Sequence, residues 1–365
     1  MDVQIQALAD AGDAYQFGRR QAEQLKKTPL YLKHASRRKK SIRRYQTDLH
    51  EAKRWLLDWS PGLWEELHGL ADGLEWRLED VVHEYAGYQE SWKKSGCSAM
   101  MRNGLYARNY DYHPKTYDGR FVLWKPSGGS GAAHIGFAQR MIGRMDGMNE
   151  HGLAIGYHFV NRIAPTDGWI CCTLARIVLD QCRNVPEAEH LLKEMPHRHA
   201  FNYSLADRTG RFSVVEGSGQ SVNVLRKSGG VCTNHFRTPG KLTENRHRTE
   251  ESEHRLEHLK DLRHEFSDPA SGYDFLNNSA HGIVKHDYRN WSGTIHTAVY
   301  DTVNLEVTAG IGPDAVPVTI SLKKWLENGR FPVKKLRGAL PQPDGGDHLA
   351  QQADSFTDND SFSTM

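Results

Sequence analysis

The chain predicts an α+β fold in which sheets are covered by helices. The first ninety-five residues read as helical, a run of short strands begins at Cys97, and helices and strands return after residue 250. That order suits antiparallel sheets with helices packed on their faces. At 365 residues the chain is long enough for one elaborate domain or two.

Each element has a local reason. Tyr15, Gly18, Ala22 and Leu25 recur at helical spacing, as do Leu63, Leu67, Leu70 and Leu74 behind a Ser60-Pro61 start signal. Leu78, Val81, Val82 and Tyr85 mark a third amphipathic helix. Ser98 to Arg102 and Leu105 to Tyr110 flank Asn103-Gly104, the strongest short hairpin signal in the chain. Further strands are expected at Phe121–Trp124, His134–Ala138, Leu153–Phe159, Ser204–Ala206, Phe212–Glu216, Val222–Leu225 and Val231–Asn234. One helix runs through Leu174, Ile177 and Val178, and another covers Ala188–Lys193. Helices at about Glu250–Phe266 and Tyr273–Asn277 precede two closing strands, Thr294–Tyr300 and Asn304–Thr308. From about Pro341 the chain carries Asp344, Asp347, Asp354, Asp358 and Asp360 with no Lys or Arg, so residues 341–365 are expected to be disordered.

Composition narrows the function classes. The chain is 38% hydrophobic and 25% charged with a formal charge of +2, ordinary for a soluble globular protein. That balance favours neither nucleic acid nor membrane as a partner. Arg37, Arg38, Lys39 and Lys40, with Arg43 and Arg44, read as a solvated face between helices, since no aromatic or glycine pattern accompanies them. No basic-then-apolar leader opens the chain, and no apolar run approaches the ~18 residues that span a bilayer. Five irregularly spaced cysteines argue against a disulfide framework and for a reducing cytoplasm. Homo-oligomerisation is left open.

Cys97 is the residue that carries chemistry. It follows Gly96 at a strand start and faces the returning segment Arg108-Asn109-Tyr110-Asp111. If Asn103-Gly104 closes a two-residue turn, Cys97 falls opposite Tyr110 and Arg108 is its diagonal neighbour on the same face, ~7–8 Å away. A guanidinium there would lower the thiol from its free pKa of ~8.5. Asp111 has the other strand parity and meets the cysteine only if the chain bends near Tyr110. Gly96, lacking a Cβ, tolerates the strained backbone that thiol attack on the preceding carbonyl would require. Cleavage between Gly96 and Cys97 would leave an α-amine with an ordinary pKa of ~7.7–8.0, suited to a general base at neutral pH. One residue would then be nucleophile and base together.

Four further motifs accompany this one: Gly104-Leu105-Tyr106-Ala107-Arg108-Asn109-Tyr110-Asp111, Gly147-Met148-Asn149-Glu150-His151-Gly152-Leu153-Ala154, Cys232-Thr233-Asn234-His235-Phe236, and the opening Ala11-Gly12-Asp13-Ala14-Tyr15-Gln16-Phe17-Gly18. In order and spacing, over roughly residues 10 to 315, they resemble the N-terminal nucleophile hydrolases. The branch is that of isopenicillin-N acyltransferase, with choloylglycine hydrolase and penicillin V acylase as cousins. The resemblance implies a four-layer αββα sandwich of two antiparallel sheets, with a helical pro-segment at 1–96 kept after cleavage and a catalytic domain at 97–340. It implies Cys97 as nucleophile, Arg108 biasing the thiol toward thiolate, Asp111 holding the new amine and Asn234 donating to the oxyanion. Arg255, in Ser252-Glu253-His254-Arg255, would support the site, though Arg246 and Arg248 lie close by. Where relatives place an Asn or Tyr for the oxyanion, this chain reads Ile155-Gly156-Tyr157-His158-Phe159, so Tyr157 or His158 takes that place.

The implied activity is hydrolysis or transfer of an acyl group from a small-molecule amide or thioester through a thioester acyl-enzyme, with no cofactor and no metal. The rival from another class is an uncleaved, non-catalytic binding or scaffold relative. A third reading keeps Cys97 internal with a histidine base such as His235. Cys171, Cys172 and Cys182 read as core packing, and His197-x-His199 lacks a third metal ligand at fitting spacing. Gly128, Gly129 and Gly131 lack the Lys-Ser/Thr of a phosphate loop.

Overall fold

The computed structural model describes residues 1–90, 96–341 and 348–349. Ser95, next to the Gly96–Cys97 bond, lies outside them, as does the tail from 341 apart from Pro341, His348 and Leu349.

The N-terminal segment opens with a strand, β1 (Asp2–Gly12), and not with a helix. Val3 and Ile5, both buried, alternate with polar neighbours, which is the period of a strand. Helices α1 (Ala14–Lys26), α2 (Leu30–Ser41), α3 (Leu49–Trp59), α4 (Pro61–Leu74) and α5 (Leu78–Val81) follow. Asp13 caps α1 by accepting from Gln16 N at 3.0 Å, and Pro61 opens α4 at a position needing no N–H donor. The basic stretch from Arg37 to Lys40 lies within α2, where Arg37 pairs with Glu84 and Arg38 with Asp80.

From Gly96 the chain is mostly strand: β2 (Gly96–Arg102), β3 (Leu105–Tyr112), β4 (Arg120–Pro126), β5 (His134–Gln139), β6 (Gly143–Asn149) and β7 (Leu153–Asn161). Helices α6 (Cys171–Gln181) and α7 (Val185–Glu194) precede β8 (Ala200–Asp207), β9 (Phe212–Gly217), β10 (Val222–Leu225) and β11 (Val231–Cys232). Then come α8 (Glu250–Arg263), α9 (Pro269–Asn277), β12 (His286–Asp287), β13 (Ser292–Asp301), β14 (Glu306–Ile311), β15 (Val318–Ser321), α10 (Leu322–Asn328) and β16 (Lys335–Ala339). Strands β6, β12, β15 and β16 and helix α10 were not expected from the sequence.

The strands form one ladder in the order β10-β9-β8-β7-β6-β5-β4-β1-β16-β14-β13-β3-β2-β11. It doubles back, so that β2 packs on β7 and β8, and β3 on β8, across the interior. Two sheet layers result, joined at the corner by β1, which pairs parallel with β4 and antiparallel with β16. Helices α6 and α7 cover one outer face, and α8 and α9 the other. This is the αββα sandwich, with both layers belonging to one continuous ladder.

Alternation along β2 and β3 divides their side chains between two cores. Cys97, Ala99, Met101, Tyr106 and Tyr110 face the space between the sheets, while Met100, Leu105 and Ala107 pack outward with Leu256 and Leu259 of α8.

Candidate active site

The hairpin that carries Cys97 has the register its turn predicts. Asn103 and Gly104 both sit at positive φ, 51° and 80°, as a type I′ turn requires. Arg102 pairs with Leu105, Cys97 with Tyr110 and Gly96 with Asp111. Arg108 therefore shares the inner face with Cys97, and its Nη2 lies 3.1 Å from Sγ.

That guanidinium does not by itself produce a thiolate. Cys97 is fully buried, and burial pushes its thiol up to about 11, with Arg108 opposing the rise. Arg108 acts on the thiol in the expected downward direction, and desolvation outweighs it.

Asp111 needs no bend in the chain. β3 continues to Tyr112, and the irregularity lies in β13, between Thr294 and His296. Opposite parity places Asp111 beside the Gly96 backbone and away from the thiol. A Cβ added at Gly96 would lie 3.1 Å from Asp111 Cβ and 3.2 Å from its Oδ2. Glycine thus leaves room for this close approach, and a methyl there would push the carboxylate back by a few tenths of an ångström. The expectation of a strained conformation is not met, since Gly96 is absent from the glycines at positive φ. Asp111 Oδ1 accepts from Thr294 Oγ1 at 2.7 Å. Its Oδ2 has no hydrogen-bond partner among the described residues, although Arg255 Nη1 stands 4.0 Å away. Burial raises the Asp111 carboxyl above its usual range, with Arg255 pulling the other way.

Asn234 and Arg255 close the outer side. Asn234 Oδ1 accepts from Cys97 N at 2.9 Å and from Arg255 Nη2 at 3.1 Å, while its Nδ2 donates to Phe159 O at 2.9 Å. The Asn234 backbone donates to Ser252 Oγ at 2.8 Å, which ties the loop after β11 to the start of α8. One turn along α8, Arg255 donates to Cys97 O at 2.7 Å and Ser98 Oγ at 2.8 Å. It is held in turn by Glu251 at 2.9 Å. Arg255, and not Arg246 or Arg248, is the α8-side arginine bonded to Cys97.

Tyr157 and His158 are both fully buried in β7. Tyr157 O accepts from Arg108, and its hydroxyl lies 3.4 Å from that of Tyr110. His158 Nε2 lies 2.8 Å from Ser204 Oγ, and its imidazole also meets the Cys97 backbone. His235 is turned elsewhere: its Nδ1 lies 2.8 Å from Ser252 Oγ and 3.3 Å from Thr233 Oγ1. Among the described residues all five cysteines are free and no cluster of metal-ligating side chains forms. His197 instead packs its ring nitrogens against Leu192 O and Tyr203 Oη.

Sequence reasoning missed the inner partners of Arg108. Its Nη1 is paired with Asp146 of β6, and Asp146 also accepts from His296 and Tyr300 of β13. The signal was adjacent, since Asp146 directly precedes the Gly147-Met148-Asn149 motif. A cavity of about 280 Å³ opens nearby between α2 and residues 112–118, with Lys33, Arg37, Tyr112 and Tyr117 in its wall. Tyr117 Oη lies 2.9 Å from His296 Nδ1, so a single tyrosine separates the cavity from the charged cluster.

Residues 97–314 match the model of the family described as acyl-coenzyme A:6-aminopenicillanic acid acyl-transferase. No curated protein matches the chain. Among solved structures, a mutant conjugated bile acid hydrolase from Clostridium perfringens is 14% identical with a TM-score of 0.47, over 63% of this chain and 93% of that one. Penicillin V acylase from Agrobacterium tumefaciens is 18% identical with a TM-score of 0.43, over 63% and 86%. A Caenorhabditis elegans ortholog of N-acylethanolamine-hydrolyzing acid amidase is 13% identical with a TM-score of 0.39, over 57% and 93%. No helix among the described residues is long and apolar enough to cross a membrane.

Proposed function

The chain belongs to the acyl-coenzyme A:6-aminopenicillanic acid acyl-transferase family, and from that premise we propose that it is an autoproteolytic cysteine N-terminal nucleophile acyltransferase or amidohydrolase. The observation that carries this reading is the arrangement at the Gly96–Cys97 peptide. An acceptor, Asn234 Oδ1, already holds Cys97 N at 2.9 Å, and the carboxylate of Asp111 stands beside Gly96 with one buried oxygen lacking a hydrogen-bond partner among the described residues. An unpaired buried carboxylate oxygen costs ~1–3 kcal/mol or more. An ammonium formed at Cys97 N would give it a partner.

In the first step Cys97 Sγ adds to the Gly96 carbonyl carbon, the thiol proton passes to the Cys97 nitrogen, the C–N bond breaks, and the amine of Cys97 is released as a thioester forms. Water hydrolyses that thioester to a Gly96 carboxylate and a free thiol. The freed amine then serves as base. It takes the thiol proton while Sγ attacks a substrate amide or acyl thioester, and it returns the proton to the leaving amine or thiol. Asn234 Nδ2 would donate to the oxyanion, with Tyr157 or His158 as second donor, and Arg255 would fix Cys97 O and Asn234 together. Water or an amine takes the acyl group from the thioester acyl-enzyme.

Residues 1–96 would stay bound as a small subunit. β1 is hydrogen-bonded on both edges, and Glu66 of α4 reaches Arg176 of α6 at 2.8 Å in a buried pair. A second reading, an uncleaved binding protein, is favoured by the complete burial of Cys97. Mass spectrometry of the purified full-length chain separates the two. The enzyme yields associated fragments 1–96 and 97–365, and Cys97→Ala abolishes the cut. An intact native chain, or cleavage that persists in Cys97→Ala, overturns the enzyme reading.

A further inference from the structure

We propose that Asp146 is a positioning residue that holds the Arg108 guanidinium against the Cys97 sulfur, and that His296 and Tyr300 fix the Asp146 carboxylate for that task. The proposal rests on Cys97 being the nucleophile. Cys97, Arg108, Asp146, His296 and Tyr300 are all fully buried between the two sheet layers. Asp146 stands on β6 in one layer, while Arg108 on β3 and His296 and Tyr300 on β13 stand in the other, so the carboxylate bridges the interior.

The hydrogen bonds converge on the Asp146 carboxylate. Tyr117 Oη lies 2.9 Å from His296 Nδ1, and His296 Nε2 lies 2.9 Å from Asp146 Oδ2. Tyr300 Oη donates to Asp146 Oδ1 at 2.5 Å. Arg108 Nη1 donates to Asp146 Oδ2, and Arg108 Nη2 reaches Cys97 Sγ at 3.1 Å and Tyr157 O. The His296 ring is wedged between Phe137, stacked at 3.8 Å, and Tyr110, stacked at 5.3 Å. An ionised Asp146 with three donors requires neutral His296 to carry its proton on Nε2 and to accept from Tyr117 at Nδ1. The titratable groups facing Asp146 are Arg108 from β3 and His296 and Tyr300 from β13, with Tyr106, Tyr117 and His158 of β7 behind them.

An arginine side chain is long and rotamer-rich, and one contact to sulfur does not fix its plane. Holding Nη1 on Asp146 and Nη2 on Tyr157 O determines both the tilt and the reach of the guanidinium. Burial pushes the thiol upward, and Arg108 is the largest influence against it. Small displacements of Nη2 therefore bear directly on thiolate formation. Tyr300 and His296 remove the alternatives open to the Asp146 carboxylate by occupying its remaining lone pairs.

The test is the pH dependence of Cys97 alkylation by iodoacetamide in the full chain, with peptide mass spectrometry for the site and thermal melting for the fold. Asp146→Asn should move the alkylation midpoint upward by about one pH unit, roughly tenfold slower at fixed pH below it. Tyr300→Phe, which keeps the carboxylate and loses one donor, should move it less and in the same direction. Had Asp146 served only to balance charge, its removal would leave Arg108 unopposed and the midpoint would fall. A fall or no movement in folded Asp146→Asn overturns the proposal. If that variant fails to fold, Tyr300→Phe decides it, and an unmoved midpoint there overturns it as well. Acyl transfer that survives in Cys97→Ala would instead sink the nucleophile assignment and leave the alkylation profile readable on its own.

Discussion

Replacing Asn234 by Asp separates the two things its side chain can do. The carboxylate keeps an acceptor for Cys97 N and for Arg255 Nη2, which now lie 2.9 and 3.1 Å from Oδ1. It loses the Nδ2 donor, of which one hydrogen goes to Phe159 O and the other is assigned to the oxyanion. Loss of one such donor slows acyl transfer by ~10²–10³, or ~2.7–4 kcal/mol. Stability should change little, because a charge-assisted bond to Arg255 offsets the acceptor left unpaired at Phe159. Asn234→Ala, by contrast, strands the buried Cys97 amide and takes one of two acceptors from Arg255 Nη2, which keeps Glu251 Oε2 at 3.1 Å. At ~1–3 kcal/mol each these two losses should lower unfolding stability by ~2–6 kcal/mol. Urea unfolding and turnover of an acyl-amide panel measure both variants. Near-native turnover in Asn234→Asp would refute the oxyanion role, and an Asn234→Ala protein as stable as the parent would refute the acceptor role.

Gly96→Ala presses a methyl to 3.1 Å from Asp111 Cβ, a carboxylate already held by Thr294. About 1 kcal/mol of overpacking should slow self-cleavage about fivefold, and processing at the parental rate would remove the close-approach argument. Glu66→Gln takes a partner from buried Arg176, which keeps Asp180 at 2.9 Å. The loss belongs at the low end of ~3–5 kcal/mol, read as a drop in the urea midpoint; an unchanged midpoint counts against the buried pair. His197 is buried and held down to about 4 by desolvation. The unfolded chain takes up a proton near ~6.5 while the native chain resists until about 4, so this contribution is complete above ~6.5 and is lost as pH falls toward 4. His197→Gln should lose less stability between pH 7 and 5 than the parent, and equal losses would refute the assignment.

Local chemistry made the hairpin legible. Asn103-Gly104 demands two positive φ angles, and counting outward from that turn places Arg108 on the face of Cys97. Parity likewise set Asp111 apart from the thiol, but only the folded chain revealed that it belongs to the Gly96 peptide instead. The thiol's upward shift was hidden, because desolvation depends on what the second sheet layer covers and no short window of sequence reports it. Asp146, His296 and Tyr300 were hidden for a related reason. They meet Arg108 only after β6 and β13 stack across the interior, contacts 150 and 154 residues apart between Asp146 and its two β13 donors. β1 escaped because its few alternating residues run into Ala7, Leu8 and Ala9, which suit a helix equally well.

The place of β1 at the corner of the ladder changes the molecularity of folding. An uncut chain closes that corner in a unimolecular reaction, with the strand tethered to its slot. If the bond after Gly96 is cut as proposed, melting the protein would release two polypeptides, and rebuilding the corner would become bimolecular. Thermal recovery of the cut form would then depend on protein concentration, while that of Cys97→Ala would not.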